Sequence, residues 1–216
     1  MKKLSSIRND TVRLYQTLAQ KGLIVGSSGN VSMRVKTGMV ITPSGGSPET
    51  VVPGDLAALA LDGTVLNDAT PSSEWAMHAE IYRAHPEAQC VVHTHADACT
   101  ALACLNRPLP AFHYMVVQFG GEDVRCGSYV TFGTPELARV AAEAIADRSA
   151  CLLANHGMIV HGRDADQALS RALLLESLCR QYLLALAAGK PRLLTSTEMQ
   201  AAKERFKTYG PRANRP

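Results

Sequence analysis

The run Cys90-Val91-Val92-His93-Thr94 constrains the fold more than any other stretch of the chain. Short, apolar and partly β-branched, it reads as a buried strand, and a buried strand needs other layers packed on its sheet. Side chains two apart on a strand point to the same face. His93 and His95 can therefore converge on one ion. A third histidine, His156, lies far downstream in an Asn-His-Gly turn, and Glu74 precedes the strand. Neutral imidazoles plus a carboxylate are common ligands of a catalytic divalent metal, which keeps an open position for substrate. A single histidine is most often structural or exposed, and His78, His85, His113 and His161 keep that bland reading here. The pair on one strand does not.

The chain of 216 residues reads as one domain, 1–216, long enough to bury a substantial core. With 46% hydrophobic and 19% charged residues it lies in the globular range. Its net charge of +3 is spread out, with a mild basic bias at the ends (Lys2, Lys3, Arg212, Arg215). No basic patch interleaved with aromatics stands out, so no nucleic-acid partner is expected. The six cysteines include no Cys-x-x-Cys pair and no leader segment is evident, so they read as buried reduced thiols in a cytoplasmic protein. The apolar segment 168–189 is interrupted by Arg171, Glu176 and Arg180, which makes it an amphipathic core helix and not a membrane span.

Helical spacing runs from Leu4 to Lys21, with Gly22 as a stop. Val31–Val35 and Met39–Thr42 read as a hairpin, and Leu56–Leu61 as a further strand. A helix is expected to start at Ser72 or Ser73, either serine serving as cap, and to end at His85-Pro86. After the histidine strand come helices at 96–105 and 135–147. Strands at 150–154 and 158–161 flank the Asn155-His156-Gly157 turn, and helices follow at 164–188 and 198–207. This irregular alternation implies an α/β layer structure with a mixed sheet.

Glu74 has two readings: a first-turn acid complementing the helix dipole, or a ligand or base near a metal. Spacing alone does not choose between them. Three loops rich in neutral donors, Ser27-Ser28-Gly29-Asn30, Thr42-Pro43-Ser44-Gly45-Gly46 and Ser72-Ser73, are ordinary turns singly but can form a phosphate cradle together. None matches a nucleotide-binding fingerprint. Tyr114 is a candidate acid, or an amphipathic aromatic at a sheet end.

These segments together resemble the class II aldolase/adducin family, most closely its L-fuculose-1-phosphate aldolase type. The resemblance rests on Gly29-Asn30-Val31-Ser32, Ile41-Thr42-Pro43-Ser44-Gly45, Pro71-Ser72-Ser73-Glu74-Trp75 and Val91-Val92-His93-Thr94-His95. It continues through His113-Tyr114-Met115, Thr131-Phe132-Gly133-Thr134, Asn155-His156-Gly157 and Phe206-Lys207-Thr208-Tyr209-Gly210. It implies a three-layer α/β/α fold with a central, largely antiparallel sheet covered by helices, and a homotetramer with active sites at subunit interfaces. It also implies one divalent metal per subunit on His93, His95, His156 and Glu74. That metal is zinc by preference, although manganese, cobalt and iron also suit imidazoles. Gly29, Asn30, Ser44, Gly45, Ser72 and Ser73 would match the phosphate-binding positions, Glu74 the mobile carboxylate, and Tyr114, from a neighbouring subunit, the proton-transfer tyrosine. Phe132 and Tyr209 would approach the aldehyde half of the substrate.

The implied reaction is reversible cleavage of a ketose 1-phosphate resembling L-fuculose 1-phosphate, to dihydroxyacetone phosphate and a small aldehyde. The bulk of Val116-Val117-Gln118-Phe119 raises 5-deoxyribulose or 5-methylthioribulose 1-phosphate as an alternative. Other members of the superfamily share the metal framework: a pentulose-phosphate 4-epimerase, a sugar-acid phosphate decarboxylase or a dehydratase. His113-Tyr114-Met115 argues against the epimerase. A non-catalytic adducin-like interaction module is the reading from a different class, and the retained ligand and acid set argues against it.

Overall fold

A computed structural model describes residues 3–209; Lys2, Gly210, Arg212 and Arg215 lie outside the described residues. The elements run α1 (Leu4–Gln20), β1 (Asn30–Val35), β2 (Gly38–Ile41), β3 (Ala57–Leu59), α2 (Trp75–Ala84), β4 (Cys90–Thr94) and α3 (Asp97–Cys104). Then follow a 3-10 helix (Tyr114–Phe119), β5 (Cys126–Gly127), α4 (Pro135–Ile145), β6 (Ala150–Leu153), β7 (Gly157–Gly162), α5 (Ala165–Ala188) and α6 (Ser196–Lys207).

The strands form one sheet in the order β3-β2-β1-β4-β7-β6-β5. Every pairing is antiparallel except that of the two-residue β5 with β6. Strand β4 sits at the centre between β1 and β7, and all five of its residues are buried. Cys90 and Val92 face one core together with residues of α1, α3 and α5, while Val91 faces the other with α2 and α4. Both faces of the sheet are covered. That is why β4 reads as a continuous apolar run and not as an in/out alternation. The architecture is the expected three-layer α/β/α fold with a largely antiparallel sheet.

Local chemistry sets the helix ends. Gly22 takes φ +75°, its N–H bonds to Ala19 O, and the Leu23 N–H reaches back to Leu18 O, a Schellman stop for α1. Thr134 and Asp164 cap α4 and α5 by accepting the N–H groups of Leu137 and Gln167. Thr195 and Glu198 form a capping box, which starts α6 at Ser196, two residues ahead of the sequence expectation. The expected cap of α2 is corrected. Glu74 itself occupies the cap position, without a side-chain cap bond, and Ser72 Oγ accepts the Glu74 N–H at 3.3 Å. The carboxylate is used elsewhere.

Glu176 lies on the buried stripe of α5, where its two oxygens accept the N–H groups of Ala98 (3.0 Å) and Cys99 (2.9 Å) in the first turn of α3. This carboxylate anchors the helix that follows His95 directly. Cys90, Cys99, Cys151 and Cys179 are buried free thiols; Cys104 is exposed and Cys126 half-buried, so the expectation of uniform burial is corrected for those two. Among the described residues no helix is long and apolar enough to cross a membrane.

Candidate active site

Strand β4 delivers His93 to the sheet centre, fully buried, and His95 just beyond the strand end. The turn between β6 and β7 brings His156 alongside. Asn155 takes φ +54°, which Asn tolerates better than most residues. A Cβ on Gly157 would lie 2.4 Å from Thr94 O, so only glycine lets this turn close onto the histidine strand. The three rings stand edge to face, with centroids 4.8 to 5.0 Å apart. Their ligand atoms all lie within 4.8 Å of one another.

His93 Nδ1 donates to Met158 O at 2.9 Å. The neutral ring then presents a bare Nε2, which lies 3.1 Å from His95 Nε2 and 3.2 Å from Glu74 Oε2. Glu74 Oε1 lies 3.2 Å from His156 Nε2. Glu74 stands at the head of α2, buried, and its carboxylate turns away from the helix toward the histidines. Burial pushes His93 down to about 3 despite the neighbouring carboxylate, and it also lowers His95. Burial opposes ionisation of Glu74, but hydrogen bonds from His156 and the Asn30 amide outweigh it and hold the carboxyl below its usual range. Imidazoles around an ionised carboxylate form the donor set of a divalent cation. Metal–nitrogen bonds of about 2.0–2.1 Å in tetrahedral array place donor atoms roughly 3.3 Å apart, close to the contacts found here. His93, His95, His156 and Glu74 can hold one such ion.

Backbone bonds stitch the three donor loops together. The Ser72 N–H donates to Thr42 O, the Ser44 N–H to Thr70 O, and Thr42 Oγ1 accepts the Val31 N–H. Gly29, at φ +97°, packs where a Cβ would meet His93 O at 2.8 Å. The result is a cavity of about 270 Å³ whose lining includes every predicted phosphate position: Gly29, Asn30, Ser44, Gly45, Ser72 and Ser73. Glu74, His95 and His156 open onto the same cavity, and its lining contains no lysine or arginine. Phe132 also lies in the wall, with Tyr129 and Val130 beside it.

Other expectations are placed differently. Tyr114 and Tyr209 do not line this cavity. Tyr114, half exposed at the start of the 3-10 helix, stacks on His113 and Phe206, and Tyr209 meets Phe206 edge to face. Val116, Val117 and Phe119, read from sequence as a specificity segment, are core side chains in the cluster that also holds residues of α1, α3 and α5. Tyr129 and Val130 were missed, since a Gly-Ser-Tyr-Val loop carries no ligand signature. His78 was read as structural, yet it belongs to the network behind Glu74. Asn30 lines the cavity, but its amide is already engaged, Nδ2 donating to Glu74 Oε2 at 2.9 Å.

Residues 9–183 match the model of the class II aldolase and adducin N-terminal domain family. The chain belongs to this family. Similar family members include a 5-methylthioribulose-1-phosphate/5-deoxyribulose-1-phosphate aldolase of Rhodospirillum rubrum, 43% identical over 98% of this chain and 96% of that protein. An L-fuculose phosphate aldolase of Escherichia coli O6:H1 is 41% identical over 89% of this chain and 90% of its own. A solved L-fuculose 1-phosphate aldolase superposes with a TM-score of 0.90 at 35% identity, covering 96% of this chain and 98% of that one.

Proposed function

We propose that the chain is a metal-dependent aldolase that reversibly cleaves a ketose 1-phosphate, between C3 and C4, to dihydroxyacetone phosphate and a small aldehyde. One observation carries this reading: the donor loops, the Glu74 carboxylate and the open side of the three-histidine cluster share one cavity. A divalent metal there, which we take to be zinc, supplies Lewis-acid stabilisation for negative charge that develops on the C2 and C3 oxygens.

The protein's own groups do the rest. The cradle of Gly29, Asn30, Ser44, Gly45, Ser72 and Ser73 orients the phosphate with neutral donors and sets the reacting carbons beside Glu74. Tyr114 of a neighbouring subunit removes the C4-hydroxyl proton as the C3–C4 bond breaks. In synthesis the ionised Glu74 carboxylate takes the C3 proton of dihydroxyacetone phosphate and the Tyr114 hydroxyl protonates the nascent C4 oxygen. Cleavage moves the same two protons in reverse, from the Glu74 carboxyl to C3 and from the C4 hydroxyl to the Tyr114 phenolate. Tyr114 lies outside its own cavity, so the reading requires sites shared between subunits, which we take to form a homotetramer. We also place the enzyme in the cytoplasm, a reading supported by its free thiols and by the phosphorylated substrate proposed here.

The aldehyde end is set by the segment Tyr129–Phe132, which supplies most of the apolar wall. L-Fuculose and 5-deoxyribulose both end in a methyl group and 5-methylthioribulose in a methylthio group, so one apolar wall serves all three. The preferred class is therefore a ketose 1-phosphate with an apolar terminus. The test is a panel of such phosphates, assayed with chelated and zinc-reloaded protein, following dihydroxyacetone phosphate. Chelator-sensitive release supports the reading. Epimerisation or decarboxylation without carbon–carbon cleavage overturns it.

A further inference from the structure

We infer that His78 is a positioning residue, whose Nε2–H locks the Asn30 side-chain amide so that its NH2 faces the Glu74 carboxylate and the cavity. The inference rests on the role proposed for Glu74, but its evidence is a chain of buried hydrogen bonds whose direction is fixed from one end.

A carboxylate only accepts. Asn30 Nδ2, 2.9 Å from Glu74 Oε2, therefore donates, and the other end of the amide, Oδ1, is the atom 2.6 Å from His78 Nε2. Oδ1 has no proton, so His78 Nε2 must carry one. Burial pushes His78 down to about 4, so the ring is neutral and its Nδ1 is bare. Nδ1 accepts from Ser32 Oγ at 2.7 Å, and Ser32 Oγ, its proton spent, accepts from Tyr82 Oη at 2.9 Å. With the ring neutral, the order Tyr82, Ser32, His78, Asn30, Glu74 satisfies each of these contacts. Ser32 and His78 are fully buried and Tyr82 nearly so, which keeps bulk water from them.

An asparagine amide alone is free to turn over, and its two ends differ in sign. The Asn30 carbonyl at 2.9 Å from the Glu74 carboxylate would repel it, and the same carbonyl would repel an anionic ligand in the cavity. His78 removes that alternative. It keeps Asn30 a donor both when Glu74 is in place and when an anionic oxygen of a ligand replaces it. His78 lies one helical turn after Glu74 on α2, so a single rigid helix carries both the carboxylate and the residue that sets its partner.

The test separates tautomer control from packing. In the wild type, side-chain ¹⁵N correlation spectra of zinc-loaded protein are expected to show His78 protonated on Nε2 alone from pH 6 to 8; an Nδ1–H tautomer overturns the proposal. His78→Leu keeps apolar volume but removes the donor, whereas His78→Gln restores an N–H near the Nε2 position. Zn²⁺ affinity by chelator competition should fall roughly 10–100-fold in the leucine variant, the usual size of an outer-partner loss, and largely recover in the glutamine variant. Equal affinity in all three proteins overturns the proposal. Should the leucine variant fail to fold, the wild-type tautomer still decides. Neither readout uses turnover, so failure of the aldolase reading and failure of this one are distinguishable.

Discussion

His93 Nε2 faces Glu74 Oε2 across 3.2 Å, two acceptors at a separation that only a proton or a cation makes favourable. Because His93 Nδ1 already donates to Met158 O, the ring has no second proton to offer unless it is charged, and burial opposes that. A divalent ion resolves the conflict. Replacing His93 or His156 with Ala should remove metal and cleavage activity together, by elemental analysis and assay on the same sample. Metal removal should also lower the thermal midpoint. With free zinc at 1,000 times the dissociation constant, the bound state gains about 4 kcal/mol.

Glu74→Gln preserves shape but removes both the negative charge and the transferable proton. Turnover should fall by about 10²–10⁴-fold, the usual contribution of a general acid or base, while the three histidines still bind zinc, more weakly. Loss of metal equal to that of His93→Ala would assign Glu74 to binding alone.

Metal-free protein should lose stability as the solution is acidified from pH 7 to 5. Burial holds His93 at about 3, and His78 and His161 at about 4, all below the unfolded value near 6.5. Between the folded and unfolded values the unfolded chain binds more protons, so falling pH favours unfolding. At pH 5 the loss is about 2 kcal/mol per histidine, read from urea midpoints. His161→Gln, remote from the metal cluster, should make the dependence shallower by about one proton.

Much of this was legible before the fold was known, and the rest has a common cause. The strand carrying His93, the Gly157 turn and the donor loops follow from local pattern, since strand periodicity and turn chemistry act over a few residues. The partners of Asn30 and Glu176 do not. Asn30 meets Glu74 across 44 residues and Ala98 meets Glu176 across 78, contacts set by sheet order and helix docking. The burial of Val116 and Phe119 was missed for the same reason: an apolar run at a loop suits a pocket wall or a core equally until its layer is known. Tyr114 is the reverse case, read from family pattern while the chain's own cavity leaves it outside.

Glu176→Ala should destabilise the protein by about 3 kcal/mol, because two N–H groups at the start of α3 lose a charged acceptor inside the core. Glu176→Gln, which keeps one acceptor oxygen, should recover part of the loss. Since α3 begins two residues after His95, the alanine variant should also bind zinc more weakly. Unchanged urea midpoints in both would show that the carboxylate contributes no net stability.

Phe132→Ala tests the apolar wall directly. Phe132 is largely exposed yet faces the cavity beside Tyr129 and Val130, so its removal should cost little fold stability. If the wall packs on the substrate terminus, kcat/KM for a methyl- or methylthio-ended ketose 1-phosphate should drop. The same phosphate ending in a hydroxymethyl group should change less. The preference should shrink by roughly 1–3 kcal/mol, the scale at which an apolar pocket discriminates, or about 5- to 150-fold in the ratio of the two kcat/KM values. An unchanged ratio with an equal loss on both substrates would place Phe132 in general orientation of the sugar. The terminus would then be recognised by residues other than Phe132.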